Sequence, residues 1–344
     1  MHVRFQAPWR VRVMTLAVLS LTPLTAVAQA RNLPPTSDGK PDFQGIWISK
    51  SATPLERPKA LEGRPRLTDP EVAELKARVY RIFKDGKTSD FPAGDNVFLA
   101  ALANVDQFKT PNATGGADDT IERVFENRTA LILDPSDGRI PSLTPEGQRR
   151  LAAATAARLR PDPAGPEDLS NDRRCLTFGT PRLGGTYGAG PYSYYQVVQT
   201  PGYVVLAMEY VHEARIIPLD GRPHLPQNIR QWSGDSRGRW EGNALVVDTT
   251  NFSPKSTFLG SAENLHMVER FTRVAADQID YEMTLDDPTT WAKPWMALIH
   301  LTRSDEKMYE VACHEGNHYS MQGILAGARA DEKAVEDAAK KRPK

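Results

Sequence analysis

The chain carries no excess of charge, with 43 basic residues against 43 acidic ones. That argues against a nucleic-acid partner, which is held chiefly through clustered positive charge. After residue 30 no apolar run approaches the ~20 residues of a membrane-spanning helix, so no membrane span is expected. Cysteine is nearly missing: Cys175 and Cys313 are the only two among 344 residues. No cysteine stands directly after the small-residue triplet Ala26-Val27-Ala28, so a lipid-anchored form is not expected.

The first 30 residues have the parts of a secretory leader. Arg4, Arg10 and Arg12 form a positive start, Val13 to Leu24 a short apolar stretch, and Ala26–Ala28 a cleavage site. Cleavage near Ala28 or Ala30 predicts a mature protein in the periplasm or outside the cell. In an oxidising compartment the two cysteines are expected to pair as a structural disulfide.

What is plentiful is strand-forming sequence. Tyr203–Met208 and Ala214–Leu219 are β-branched, apolar runs. Arg237–Glu241 and Ala244–Asp248 flank Gly242-Asn243, a two-residue turn in which glycine supplies the positive φ that primed turns need. Met267–Val274 and Ile279–Leu285 follow, the latter alternating apolar and polar residues with the period of a strand wet on one face. Trp295–Thr302 and Met308–Cys313 predict a further hairpin across 304–307. Upstream, Thr68 or Asp69 caps a helix with Pro70 in its first turn, a short helix is expected near 98–105, and Arg123–Leu133 reads as a strand. Thr144-Pro145 starts a helix to about Leu159.

Short antiparallel strands joined by local turns, without crossover helices, predict a mainly β protein with some α. The expected architecture is an antiparallel barrel resembling a lipocalin, with a helix-containing N-terminal portion. The divisions are 1–30 as leader, 31–165 as the N-terminal portion with an extended lead-in, 166–327 as the barrel, and 328–344 as a helical or disordered tail.

Several phrases resemble one family of secreted bacterial proteins, found in Acidobacteria and Proteobacteria, for which no activity is established. They are Asn127–Pro135, Asp137–Pro141, Arg215–His224, Trp232–Gly242, Leu245–Phe252 and Cys313–Asn317. The resemblance implies export and a β-rich fold, and it assigns no catalytic residue.

The chemistry must therefore be read from the residues. Glu209 and His212 stand on opposite faces by alternation, and the one facing an apolar interior would act as a general acid or base. The plain alternative is a Glu209–Arg215 pair holding strand to turn. His300, between Ile299 and Leu301, is a third acid–base candidate. Arg215, Arg222, His224, Trp232, Trp240 and Trp295 are candidate ligand-binding residues, lining a cavity or its rim. The tryptophans equally suit a packed core. Asp235 reads as a turn cap, and His266 and Glu269 fall on opposite faces of one strand, so they cannot share a site.

His314-Glu315-Gly316-Asn317-His318 matches the H-E-x-x-H pattern, which works when a helix places both histidines on one face of a zinc ion. Glycine and asparagine in its middle disfavour a helix, and Glu332 and Glu336 are only loose third ligands. The glycines at 183–190 lack the strand and the Lys-Ser/Thr ending of a phosphate loop. No cofactor is expected, with zinc as the alternative. The functional expectation is a protein that binds, and transforms by acid–base chemistry, a small, partly apolar molecule in a barrel cavity. The alternatives are a zinc-dependent hydrolase and a structural or partner-binding envelope protein.

Overall fold

The computed structural model describes residues 35–83, 96–104, 123–158, 163–171, 173–177, 194–209, 211, 213–310 and 312–340. The leader, the glycine-rich 183–190 segment and His212 lie outside the described residues. Among the described residues there are ten strands: β1 Gly45–Ser49, β2 Ile132–Asp134, β3 Tyr194–Gln199, β4 Tyr203–Met208, β5 Ala214–Pro218, β6 Asp235–Glu241, β7 Ala244–Thr250, β8 His266–Ala275, β9 Gln278–Asp286 and β10 Trp295–Ser304. Four α-helices accompany them: α1 Asp69–Phe83, α2 Asn96–Ala103, α3 Pro145–Arg158 and α4 Cys313–Lys340.

Nine strands form one antiparallel sheet in the order β5-β4-β3-β1-β10-β9-β8-β7-β6, with β2 also pairing β10. The sheet curls into a nearly closed barrel, because its two end strands face each other. Gly238 on β6 permits that approach: a Cβ there would lie 2.6 Å from Leu219 and 2.8 Å from Ile217, at the end of β5. Across the same seam Arg215 Nη2 donates to Ser236 Oγ at 3.0 Å. Such closure removes the open edges that invite aggregation. The mainly β barrel with a helix-containing N-terminal portion is therefore borne out.

Alternation decides the interior. Met267, Glu269 and Phe271 from β8, Tyr281 and Met283 from β9, and Ala297 and Ile299 from β10 are all buried. The β6–β7 hairpin turns at Gly242, whose φ of 61° is the left-handed value its turn requires. One end of the barrel is closed by Phe43 stacked on Trp240, with centroids 5.7 Å apart. Toward the other end Trp291 and Trp295 pack edge to face at 5.6 Å.

A second, smaller core gathers Leu67, Val72, Leu75, Phe98 and Phe125 beneath α1 and α2. Helix α1 starts as a capping box, Glu71 Oε2 accepting from Thr68 N at 2.8 Å while Thr68 Oγ1 accepts from Glu71 N at 3.4 Å. At α3, Gly147 N donates to Thr144 Oγ1 at 3.0 Å.

Three expectations are corrected. The described residues of 308–313 form no strand with β10; that edge pairs instead with β1, Trp47 opposite Arg303. The N-terminal portion thus supplies a barrel strand. Arg123–Leu133 yields only the short β2, because most of the segment bonds singly to the lead-in, as in Leu131 N to Pro54 O at 2.8 Å. The chain after Cys313 is one helix to Lys340, which carries through Gly316 and Asn317.

Cys175 and Cys313 are joined, their Cα atoms 5.8 Å apart, so the bridge ties residues 173–177 to the start of α4 rather than to a last strand. No helix among the described residues is long and apolar enough to cross a membrane. The disulfide and that lack are compatible with an extracellular location.

Candidate functional site

On the outer face of β6, β7 and β8, register brings three polar side chains into a row. Arg237 pairs with Asp248, Asp235 with Thr250 and His266 with Asp286 across the ladder. Asp248, opposite Val268 on β8, is thus the diagonal neighbour of both Asp235 and His266. The loop between β5 and β6 lays His224 over this row, its Nδ1 3.0 Å from Asp235 Oδ2 and its Nε2 2.9 Å from Asp248 Oδ1. Asp248 Oδ2 is in turn 3.0 Å from His266 Nε2. The result is a chain in which basic and acidic side chains alternate, Arg237–Asp235–His224–Asp248–His266, with Arg237 Nη1 2.6 Å from Asp235 Oδ1.

Its inner part fastens the loop. Asp235 accepts Leu225 N at 2.9 Å, Arg237 Nε donates to Pro223 O at 3.0 Å, and Asn251 Nδ2 donates to the carbonyls of Leu225, Pro226 and Ile229. The outer end opens into a cleft of about 370 Å³ bordered by His266, Gln227, Arg230, Asn264, Leu265 and Thr289, among others. Pockets of ~300–1,000 Å³ hold small molecules. Amide, hydroxyl and guanidinium groups converge there with the apolar Leu265 and Pro288.

The hydrogen bond to Asp248 raises the pKa of His266 above its ordinary value, burial opposing it only in part. The same bond lowers Asp248. His266 is therefore held toward its protonated form, and its Nε2 is committed to Asp248. That leaves Nδ1 as the ring nitrogen not bonded to Asp248. A carboxylate behind an imidazole fixes both ring orientation and proton position, which is the local requirement for general acid–base work.

The expected site residues are dispersed. His224 alone among them joins this chain. Arg222 is exposed and bound to Asp220, Nε to Oδ2 at 2.7 Å, near the other barrel end. Arg215 points inward and takes Glu269, not Glu209, as its carboxylate partner, Nη2 to Oε2 at 2.6 Å. Glu209 follows β4 and borders an open cleft with Met308, Tyr309 and Glu310. His300 faces outward between its inward neighbours Ile299 and Leu301. Its Nδ1 is 2.7 Å from Asp280 and its Nε2 3.4 Å from Glu126. Those contacts push its pKa up to about 9, Asp280 contributing most.

Trp295 is fully buried core, Trp240 plugs the far end, and Trp232 is half-buried in the loop before β6. Asp235 does more than cap a turn, and Asp248 stands in a strand whose local pattern marks no site. His266 was set apart from Glu269, and the two do occupy opposite faces. The barrel interior itself offers a cavity of about 20 Å³, room for a water-sized body.

His314 and Glu315 lie exposed in the first turn of α4. Positions 314 and 318 stand one turn apart on that helix, and the side chain of His318 lies outside the described set. Among the described residues no three His, Cys, Asp or Glu side chains form a group able to hold a metal ion.

No protein-family model matches the chain, and neither does any curated protein or solved structure.

Proposed function

We propose that this is an exported protein, released to the periplasm or the outside by cleavage of its leader near Ala28 or Ala30, that binds a small, partly apolar molecule and acts on it as a proton donor. The site is the cleft beside β7 and β8 rather than the barrel interior, where about 20 Å³ leaves too little room. The observation that carries the reading is His266, backed by Asp248 at 3.0 Å and bordering a cleft of about 370 Å³. Leu265 and Pro288 suit an apolar part of the ligand, and the amides of Gln227 and Asn264 suit its polar groups.

Native mass spectrometry of mature protein taken from a periplasm tests this. The expected spectrum shows a small organic adduct on the wild-type chain that is lost on His266→Ala. No adduct, or one held equally by that variant, would overturn the reading.

A zinc-dependent hydrolase using His314, Glu315 and His318 has one observation in its favour, the helix that runs unbroken through all three. The same spectra recorded without chelator test it. One zinc per chain, removed by His314→Ala, is the result that reading requires.

A further inference from the structure

The inward face of the sheet carries a second polar constellation, on the other side of β8 from His266. Arg215 Nη1 and Nη2 bond Glu269 at 2.9 and 2.6 Å, and Nη2 also reaches Ser236 at 3.0 Å and Thr249 at 3.1 Å. Tyr281 donates its hydroxyl to Glu269 Oε1 at 2.5 Å. Every polar group of the set is thereby engaged except one: Arg215 Nε–H is buried and makes no hydrogen bond among the described residues. A buried donor left unmatched forfeits the hydrogen bond it makes to water in the unfolded chain, so an unmatched donor on a guanidinium marks a place for an acceptor.

That donor belongs to the one charged residue bordering the barrel cavity of about 20 Å³. The other walls are apolar or aromatic, with Phe43, Leu206, Met208 and Phe271 among them. Glu269 already neutralises the guanidinium, so an anion gains little there and a neutral oxygen fits better. Phe43 lies ahead of β1, outside any strand. It is held by Gln199 Oε1 accepting from its backbone N at 3.0 Å and by its stack on Trp240. It both lines the cavity and closes the barrel end, so its displacement is the route by which the cavity lengthens.

We propose that the barrel interior is a binding site for one neutral acceptor oxygen on Arg215 Nε–H, with any apolar remainder of the molecule against Phe43, Leu206 and Met208. The oxygen belongs either to a water or to a small carbonyl or ether compound. Water fits the cavity as it stands, and the organic molecule needs Phe43 to move.

A crystal structure of the mature protein, together with calorimetric titration of Phe43→Ala and of Leu206→Ala, tests this. Cyclopentanone and methylenecyclopentane serve as a probe pair that differs in the acceptor alone. The expected results are density for one oxygen within hydrogen-bond distance of Nε in the wild type, and at least tenfold tighter binding of cyclopentanone by the enlarged variants. That preference is lost when Arg215→Met and Glu269→Gln are added. Oxygen density without cyclopentanone binding supports the acceptor site and assigns it to water. No density beside Nε, or equal affinity for the two probes, overturns the proposal.

Discussion

Arg215 and Glu269 are 54 positions apart and meet inside the barrel, both buried. Burial works against the charge of Arg215, and Glu269 outweighs it, so the guanidinium pKa stays above its ordinary value. Removing one partner of such a pair costs about 3–5 kcal/mol, because the other charge is left uncompensated. Glu269→Ala is predicted to lose that much in urea unfolding. Arg215→Met with Glu269→Gln is predicted to lose less than the single change, since neither charge remains buried alone.

His300 gives a pH dependence of definite sign. Burial pushes Glu126 up, but His300 and Arg128 outweigh it and hold that carboxylate down at about 2. The folded pKa of His300, about 9, exceeds its ordinary 6.5. The stabilisation is therefore complete below 6.5 and fades as pH rises through 9. With the ring a third exposed, its size is on the order of 1–2 kcal/mol rather than the full linkage value. His300→Ala should flatten the stability profile between those two pH values; a profile unchanged by the substitution would contradict the assignment.

At the scale of elements, the strands were legible because local chemistry and tertiary burial agree. Alternation in 279–285 and the Gly242-Asn243 turn each point to the pairing observed. The place of β1 was not legible. A five-residue strand enters the barrel between β3 and β10, about 150 residues from the first and 250 from the second, and no local signal encodes such a partner.

The same distance hid the site. Asp248 and His266 are neighbours only through the β7–β8 register, and the long connection between those strands sets no register that can be read from turn type. Glu269 and Arg215 meet across the interior, where no ladder links them. Barrel closure has its own test at Gly238. A valine there collides with Ile217 and Leu219 and is predicted to destabilise by about 1–3 kcal/mol, with added proteolysis at the β5–β6 seam.

The whole molecule is a packed barrel whose inside is nearly full, with the His266 cleft on its outer face toward one end. Its disulfide spans a separation of 138 residues, tying the segment ahead of β3 to α4. Closing so long a loop stabilises by about 5 kcal/mol in the chain-entropy model. Replacing Cys175 and Cys313 by serine should lower the thermal midpoint while leaving the His266 cleft intact, because no strand of the site is bridged.

The proposed proton-donor role of His266 in the cleft depends on its bond to Asp248, and imidazole NMR titration of the mature protein tests that bond. His266 is expected to titrate above its ordinary 6.5 and to fall back toward that value on Asp248→Asn. A His266 that titrates at its ordinary value, unmoved by that substitution, would contradict it.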